Sequence, residues 1–99
     1  MGKNQQNILI LHNIRSAENV GAMFRTAEGA GIDKIYLIGY TPAPLDRFGK
    51  KRKDIAKSAL STEELVPWEC KKSLFTLLRR LKQNKYLTIA IEQDKNSIS

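Results

Sequence analysis

The first forty residues alternate between strand and helix patterns in an order that restricts the chain to a small set of folds. The nearly continuous apolar run Asn7–Leu11 is typical of a strand buried on both faces of a sheet. The next apolar residues recur at the spacing of a helix that packs one face on a sheet: Val20, Met23, Phe24, Ala27 and Ala30. Gly31 suits the end of that helix, and Lys34–Gly39 is a second apolar strand. Strand, helix and strand within about thirty residues predict a right-handed crossover between parallel strands.

The remainder of the chain predicts one more long helix and a third strand. Leucines at i, i+3, i+4 and i+7 indicate a helix over Lys71–Gln83, and the strand Tyr86–Ile91 follows it. Before this helix we expect a surface loop at Tyr40–Gly49, a short helix at Asp54–Leu60, and an extended piece at Leu65–Trp68 that is an edge or non-strand segment. We therefore predict an α/β fold: a single domain over residues 1–99, with three layers and a mostly parallel sheet.

Charge is the feature of the composition that bears on function. The chain has 17 Lys and Arg against 10 Asp and Glu, a net charge of +7 and a pI near 9.8. This excess favours a polyanionic partner, most simply RNA or DNA, although a merely solvated basic surface is the alternative. The densest run consists of Lys50, Lys51, Arg52 and Lys53. We predict that this run contacts RNA, and the alternative is a solvated charge run.

Cysteine and histidine usage limits the other classes of site. The lone Cys70 excludes an internal disulfide and fits a reducing compartment, so we expect a cytoplasmic protein. With His12 as the only histidine, a Cys–His catalytic pair or a metal site has little support, and we interpret Cys70 as a bystander even though Lys71 and Lys72 could lower its pKa. No run resembles a signal peptide or a membrane span, so no membrane partner is expected.

Polar residues collect where the first strand gives way to the first helix. Asn13, Arg15 and Ser16 precede Asn19, which we predict to be the helix N-cap. Such donors around a helix N-terminus suit a phosphate or another anion, and Gly21 lets a ligand or a neighbouring backbone approach closely. The alternative is that these residues only cap the helix and bond the turn. No Walker loop or dinucleotide-binding glycine pattern is present.

These residues also carry a family resemblance. The segment N-I-R-S-A-E-N-V-G-A-M-F-R-T-A-E-G-A-G-I-D-K-I-Y-L-I-G resembles the first signature motif of the SpoU (TrmH-like) RNA methyltransferases, which belong to the SPOUT superfamily. T-P-A-P is similar to the family's proline-bearing loop, and D-I-A-K-S-A-L-S-T-E-E-L-V-P-W to a later region, with Ser61 where glycine is common. The resemblance extends over roughly residues 7–91 and implies a SPOUT-like (Rossmann-like) knotted α/β domain.

The resemblance implies transfer of a methyl group from S-adenosylmethionine to a ribose 2′-hydroxyl of tRNA or rRNA, by a homodimer. Asn19 and Arg25 match the motif positions assigned to catalysis. The positions that shape the substrate side are matched by Asn13, Arg15 and Ser16. Glu28, one helical turn beyond Arg25, is predicted to orient Arg25 through an ion pair.

The family's cofactor motifs are the point of departure. Neither the N-E-x-x-G loop nor the S-L-N segment, which form the cofactor-binding knot in the family, occurs in the 99 residues. The resemblance is thus to the N-terminal part of a SpoU domain that lacks the C-terminal knot segment, and we expect sequence beyond Ser99. We expect the chain to supply the substrate-side motif and to be inactive alone. The alternatives are a basic RNA-binding module and an inert truncated remnant.

Overall fold

The computed structural model describes residues 5–83 and 87–94, which form one parallel sheet with helices on both faces. The elements in chain order are β1 (Gln6–His12), α1 (Ala17–Ala30), β2 (Lys34–Ile38), α2 (Lys53–Ala59), a 3-10 turn (Thr62–Glu64), β3 (Trp68–Lys71), α3 (Leu74–Leu81) and β4 (Leu87–Gln93). The strand order is β3-β2-β1-β4, and every pairing is parallel. The predicted α/β class, with three layers around a parallel sheet, is confirmed.

Alternation along β1 explains why its sequence is apolar without a break. Leu9 and Leu11 pack on one face of the sheet with Phe24 of α1 and Ile55 of α2. Ile8 and Ile10 pack on the other face with Leu77 of α3. Successive side chains of a strand point to opposite faces, so helices on both sides require apolar residues at every position.

The structure corrects the strand count from three to four. The segment predicted as an extended edge piece continues into β3, whose Trp68 lies opposite Ile35 of β2 in parallel register. Pro67 has no N–H to donate, but its carbonyl accepts a hydrogen bond from the N–H of Ile35 at 2.9 Å. A proline just before an edge strand therefore keeps the one backbone bond that this position needs.

The ends of the helices also differ from the predicted bounds. The last helix begins at Leu74 rather than near Lys71, because Ser73 is its N-cap and accepts a hydrogen bond from the N–H of Thr76 at 3.2 Å. Lys71 belongs to β3 instead. The predicted last strand is β4, although its proposed first residue, Tyr86, lies outside the described residues.

An ion-pair cluster fastens β3 to β2. The carboxylate of Glu69 accepts hydrogen bonds from Lys34 Nζ at 2.8 Å and from Lys71 Nζ at 2.6 Å. The hydrogen bond from Lys34, followed by that from Lys71, lowers the pKa of Glu69 from 4.5 to about 2. Ionised Glu69 thus holds lysines from both strands together.

This pKa shift gives β3 an acid-sensitive contribution to stability. Because the pKa of Glu69 is lower in the folded than in the unfolded chain, its contribution is fully present above pH 4.5 and is lost as the pH falls towards about 2. Near neutral pH, wild type should unfold at a higher urea concentration than Glu69→Gln. This difference in urea midpoint should shrink as the pH falls from 4.5 towards about 2. In a background carrying Lys34→Met and Lys71→Met, Glu69→Gln should change the urea midpoint equally at every pH. A pH-dependent difference in that background would show that the two lysines are not the cause of the pKa shift of Glu69.

Candidate functional site

Asn13 joins the ends of the two central strands. Its backbone is left-handed, with φ of 55°, and its N–H donates to the carbonyl of Ile38 at 3.1 Å. Its side-chain Oδ1 accepts a hydrogen bond from the N–H of Tyr40 at 3.2 Å. A Cβ built on Gly39, whose φ is 70°, would lie 1.9 Å from that same Oδ1. Asn13, predicted on the substrate side, is therefore also a structural residue of the turn.

Thr41 is a second structural residue of this turn, and sequence reasoning missed it. Its side chain is buried, and its hydroxyl accepts a hydrogen bond from the N–H of Ile14 at 3.0 Å. The same hydroxyl lies 3.0 Å from the carbonyl of Leu11 and 2.9 Å from that of Ile38, so its proton can be donated to either. The available signal was a hydroxyl residue directly after the Gly39-Tyr40 turn.

The N-cap of α1 is Ser16, not Asn19. Ser16 has an extended backbone and its Oγ accepts a hydrogen bond from the N–H of Asn19 at 3.1 Å. Asn19 is therefore the third residue of the helix, and its side chain is exposed. The backbone N–H of Asn19 is thus bonded to Ser16. The side-chain amide of Asn19 is exposed and can contact a ligand.

Arg15 lies beside the same turn. Its backbone N–H donates to Asp94 Oδ2 at 2.7 Å, and its guanidinium carbon lies 5.8 Å from the centroid of the Tyr40 ring. A hydrogen bond to Tyr40 raises the pKa of the exposed Arg15 guanidinium. The structure thus brings the predicted substrate-side residues Asn13, Arg15 and Ser16 to the carboxyl end of β1, where open α/β sheets bind ligands.

Arg25 lies on a different part of α1 and faces α2. Its Nη1 donates to the backbone carbonyl of Ser58 at 3.3 Å. Ser58 is in the last turn of α2, where carbonyls have no partner inside the helix, so the guanidinium satisfies one of them. The predicted ion pair between Arg25 and Glu28 is absent among the described residues.

A groove of about 470 Å³ runs between α1 and α2 beside Arg25. It is lined by Glu18, Ala22, Arg25, Asp54, Lys57 and Ser58. Asn19 and Arg25 are six residues apart, which corresponds to about 9 Å along the helix axis. The structure therefore places Arg25 in a groove of mixed polar and apolar surface, and no hydrogen bond among the described residues connects Arg25 to Asn19.

Gly21 allows α2 to approach α1. A Cβ on Gly21 would lie 1.9 Å from Ser58 Oγ, 2.6 Å from the Ile55 carbonyl oxygen and 2.9 Å from the Ala59 nitrogen. Ser58 Oγ itself donates to the carbonyl of Glu18 at 2.6 Å. Of the two uses predicted for Gly21, a close ligand or a close backbone, the structure shows the backbone of α2.

The basic run is partly neutralised by nearby carboxylates. Lys51 pairs with Glu64, which raises the pKa of Lys51. Arg52 binds Asp54 through two hydrogen bonds of 3.2 and 2.8 Å, which lower the pKa of that carboxyl. The other two members of the run, Lys50 and Lys53, are exposed and form no ion pair within the described chain. That this run contacts RNA stays a prediction.

Cys70 does not have the environment of a reactive thiol. Its pKa is raised, first by desolvation and then by the charge of Glu69, contrary to the lowering expected from Lys71 and Lys72. Within residues 5–83 and 87–94 no three metal-ligating side chains come together. The same residues contain no helix that is long and apolar enough to cross a membrane.

Comparison with known proteins identifies the family to which the chain belongs. Residues 6–99 match the model of the SpoU rRNA methylase family. The chain belongs to this family. The curated proteins include no match. The family assignment therefore depends on the agreement of nearly the whole chain with the family model.

Two solved structures share the fold. An rRNA methyltransferase from Sinorhizobium meliloti is similar with a TM-score of 0.71 and 16% identity, over 95% of this chain and 42% of that one. An AdoMet-bound rRNA methyltransferase from the same organism gives a TM-score of 0.76 and 13% identity, over 98% and 43%. This chain thus spans less than half the length of the two rRNA methyltransferase structures that it resembles.

The close contact at Gly21 gives a matched pair of glycine substitutions in one helix. Gly21→Ala should destabilise the chain by about 1–2 kcal/mol, because overpacking against α2 outweighs the gain in helix propensity. Gly29→Ala, where a Cβ meets nothing within 4 Å, should instead stabilise it by about 0.5–1 kcal/mol. Urea unfolding followed by circular dichroism measures both changes. Equal effects at the two positions would contradict the close packing of α1 on α2.

Proposed function

We propose that this chain is the substrate-side part of an S-adenosylmethionine-dependent RNA 2′-O-ribose methyltransferase, with tRNA or rRNA as substrate. The observation that carries the proposal is the position of Arg25, whose guanidinium is held by the Ser58 carbonyl beside an open groove in a chain of the SpoU family. Only one of the five N–H donors of Arg25 is used by that bond, so the others can bind an anionic group.

The proposed role of Arg25 follows from the acidity of the groups involved. A ribose hydroxyl is a weak acid, so negative charge develops on its oxygen as the proton is lost. A guanidinium holds its own proton too tightly to act as the base. Arg25 therefore stabilises the developing oxyanion and orients an adjacent phosphate, while the exposed amide of Asn19 is available to position the ribose.

The charged side chains in the groove beside Arg25 suit the phosphates of RNA. S-adenosylmethionine would supply the methyl group, and the N-E-x-x-G and S-L-N motifs of the family do not occur in the 99 residues. Five of the six side chains that line the groove are polar or charged, and only Ala22 is apolar. We assign the groove to RNA and the methyl donor to a segment outside the 99 residues.

The oligomeric state and the cellular location are two further proposals. We propose that the protein acts as a homodimer in the cytoplasm, as the resemblance to SpoU enzymes implies. The single, unpaired Cys70 supports a reducing compartment, because a chain of this kind does not depend on a disulfide.

Methyl transfer by the intact natural protein that contains this chain tests the role of Arg25. Arg25→Ala should lower kcat by about 100- to 1,000-fold, the cost of losing one oxyanion donor. Arg25→Lys should also lose activity, because an ammonium cannot form the two parallel hydrogen bonds of a guanidinium. Glu28→Gln should keep activity near that of wild type, because Glu28 does not pair with Arg25. Mass spectrometry should identify 2′-O-methylated nucleosides. Base-methylated products, or an active Arg25→Lys variant, would overturn the proposal.

Binding of S-adenosylmethionine tests whether the 99-residue chain holds only the substrate side of the site. Calorimetry of S-adenosylmethionine with the purified 99-residue chain should give no binding heat, because the N-E-x-x-G and S-L-N motifs of the family do not occur in it. Saturable binding would show that the chain holds its own methyl-donor site and would contradict the assignment to the substrate side alone. Circular dichroism establishes that the chain used in the titration is folded.

A further inference from the structure

A second concentration of positive charge lies on the face of the sheet opposite Arg25. Residues 69–82 contain five cationic side chains and one carboxylate, whereas residues 46–64, which include the basic run, contain six cationic side chains and four carboxylates. α3 packs against Ile8 and Ile10, while α1 and α2 pack on the other side. The molecule therefore presents a second basic surface around α3, on the face of the sheet away from α1 and α2.

A groove of about 270 Å³ lies between α3 and the strands β2 and β3. Lys34, Lys71 and Arg80 line it, together with the Tyr36 ring and the carboxylate of Glu69. Glu69 is already bound to both lysines, so the groove keeps an excess of positive charge. Arg80 forms no ion pair with any residue of the described chain. An unpaired guanidinium beside two lysines is a suitable site for a phosphate.

The outer side of α3 adds an aromatic ring to these charges. Phe75 is 71% exposed, and the guanidinium carbon of Arg79, one turn later, lies 5.8 Å from its ring centroid. Leu77 is buried against the sheet, so packing of the core does not require Phe75. Exposed aromatic rings among cations are the combination on which unpaired bases stack while the backbone follows the positive charge.

We propose that this surface binds single-stranded RNA, at a site separate from the groove beside Arg25. We name it the α3 basic surface and define it by Lys34, Lys71, Lys72, Phe75, Arg79 and Arg80. Phosphates bind the cations, and a base stacks on Phe75. The inference deepens the proposed function by giving the RNA a second contact, but it does not depend on methyl transfer: the charge and the exposed ring are present in the 99 residues themselves.

Two charge-reversal variants of equal charge test the surface in the 99-residue chain. Arg79→Glu with Arg80→Glu changes the α3 basic surface, and Lys50→Glu with Lys53→Glu is the matched control in the basic run, where both lysines are exposed and without an ion pair among the described residues. We measure binding of fluorescein-labelled oligouridylate by anisotropy over a series of salt concentrations. The α3 variant should lose at least about tenfold more affinity, and its slope of log K against log salt should shrink by about 1.4 for two phosphate contacts. An equal or smaller loss than in the control would overturn the proposal.

A pair of aromatic substitutions separates base stacking from charge. Phe75→Ala should weaken oligouridylate binding by about tenfold and leave the salt slope unchanged, because a neutral ring is removed. Phe48→Ala is the control: its ring is 75% exposed and has Arg47 at 4.9 Å, but it lies in the basic loop. No loss of affinity for Phe75→Ala would show that no base stacks on α3, and a loss no larger than that of Phe48→Ala would show that stacking is not specific to this surface.

A third comparison keeps this inference distinguishable from the proposed function. Loss of methyl transfer in Arg25→Ala tests the proposed function, whereas the oligouridylate affinity of the chain with Arg79→Glu and Arg80→Glu tests the α3 basic surface, so either proposal can fail alone. A protein that methylates RNA but keeps full affinity with Arg79→Glu and Arg80→Glu would retain the proposed function and lose the α3 surface. Circular dichroism of each variant shows whether any loss of affinity comes from unfolding.

Discussion

The close approach of α1 and α2 at Gly21 is the contact on which the candidate site depends. Without a side chain at Gly21, Ser58 comes near enough for its hydroxyl to bond the Glu18 carbonyl and for its own carbonyl to receive Arg25. One residue of α2 thereby fixes two points on α1. The position of the guanidinium is thus a consequence of helix packing, and the groove beside it exists because the two helices meet closely at one end.

A helix or strand could be predicted where its residues follow a clear apolar pattern in the sequence. The helix α1 and the strands beside it are marked by apolar periodicity because they are buried, and their parallel pairing follows from the crossover. The strand β3 has only four residues, follows a proline and carries charge, so it lacks a strand pattern. It forms because β2 offers an unpaired edge and because Glu69 attracts lysines from both strands.

The candidate site was predictable in composition but not in geometry. The strand-to-helix pattern and the family resemblance pointed to Asn13, Ser16, Asn19 and Arg25, yet the choice between Ser16 and Asn19 as N-cap depends on backbone angles. The charge of the basic run was overestimated, because Glu64 pairs with Lys51 across thirteen positions of sequence. Glu64 is distant from the run in sequence, so the charges within the run do not indicate which carboxylates fold against it.

The junction of Asn13 and Gly39 has a consequence for how this sequence can change. The amide oxygen of Asn13 occupies the space that a side chain at position 39 would need, and both residues have left-handed backbones. A side chain at position 39 requires a smaller residue at position 13, but such a residue would give up the bond that holds Tyr40. The residues at positions 13 and 39 can therefore be substituted only together. Libraries that randomise the turn after β1 should vary both positions together or neither.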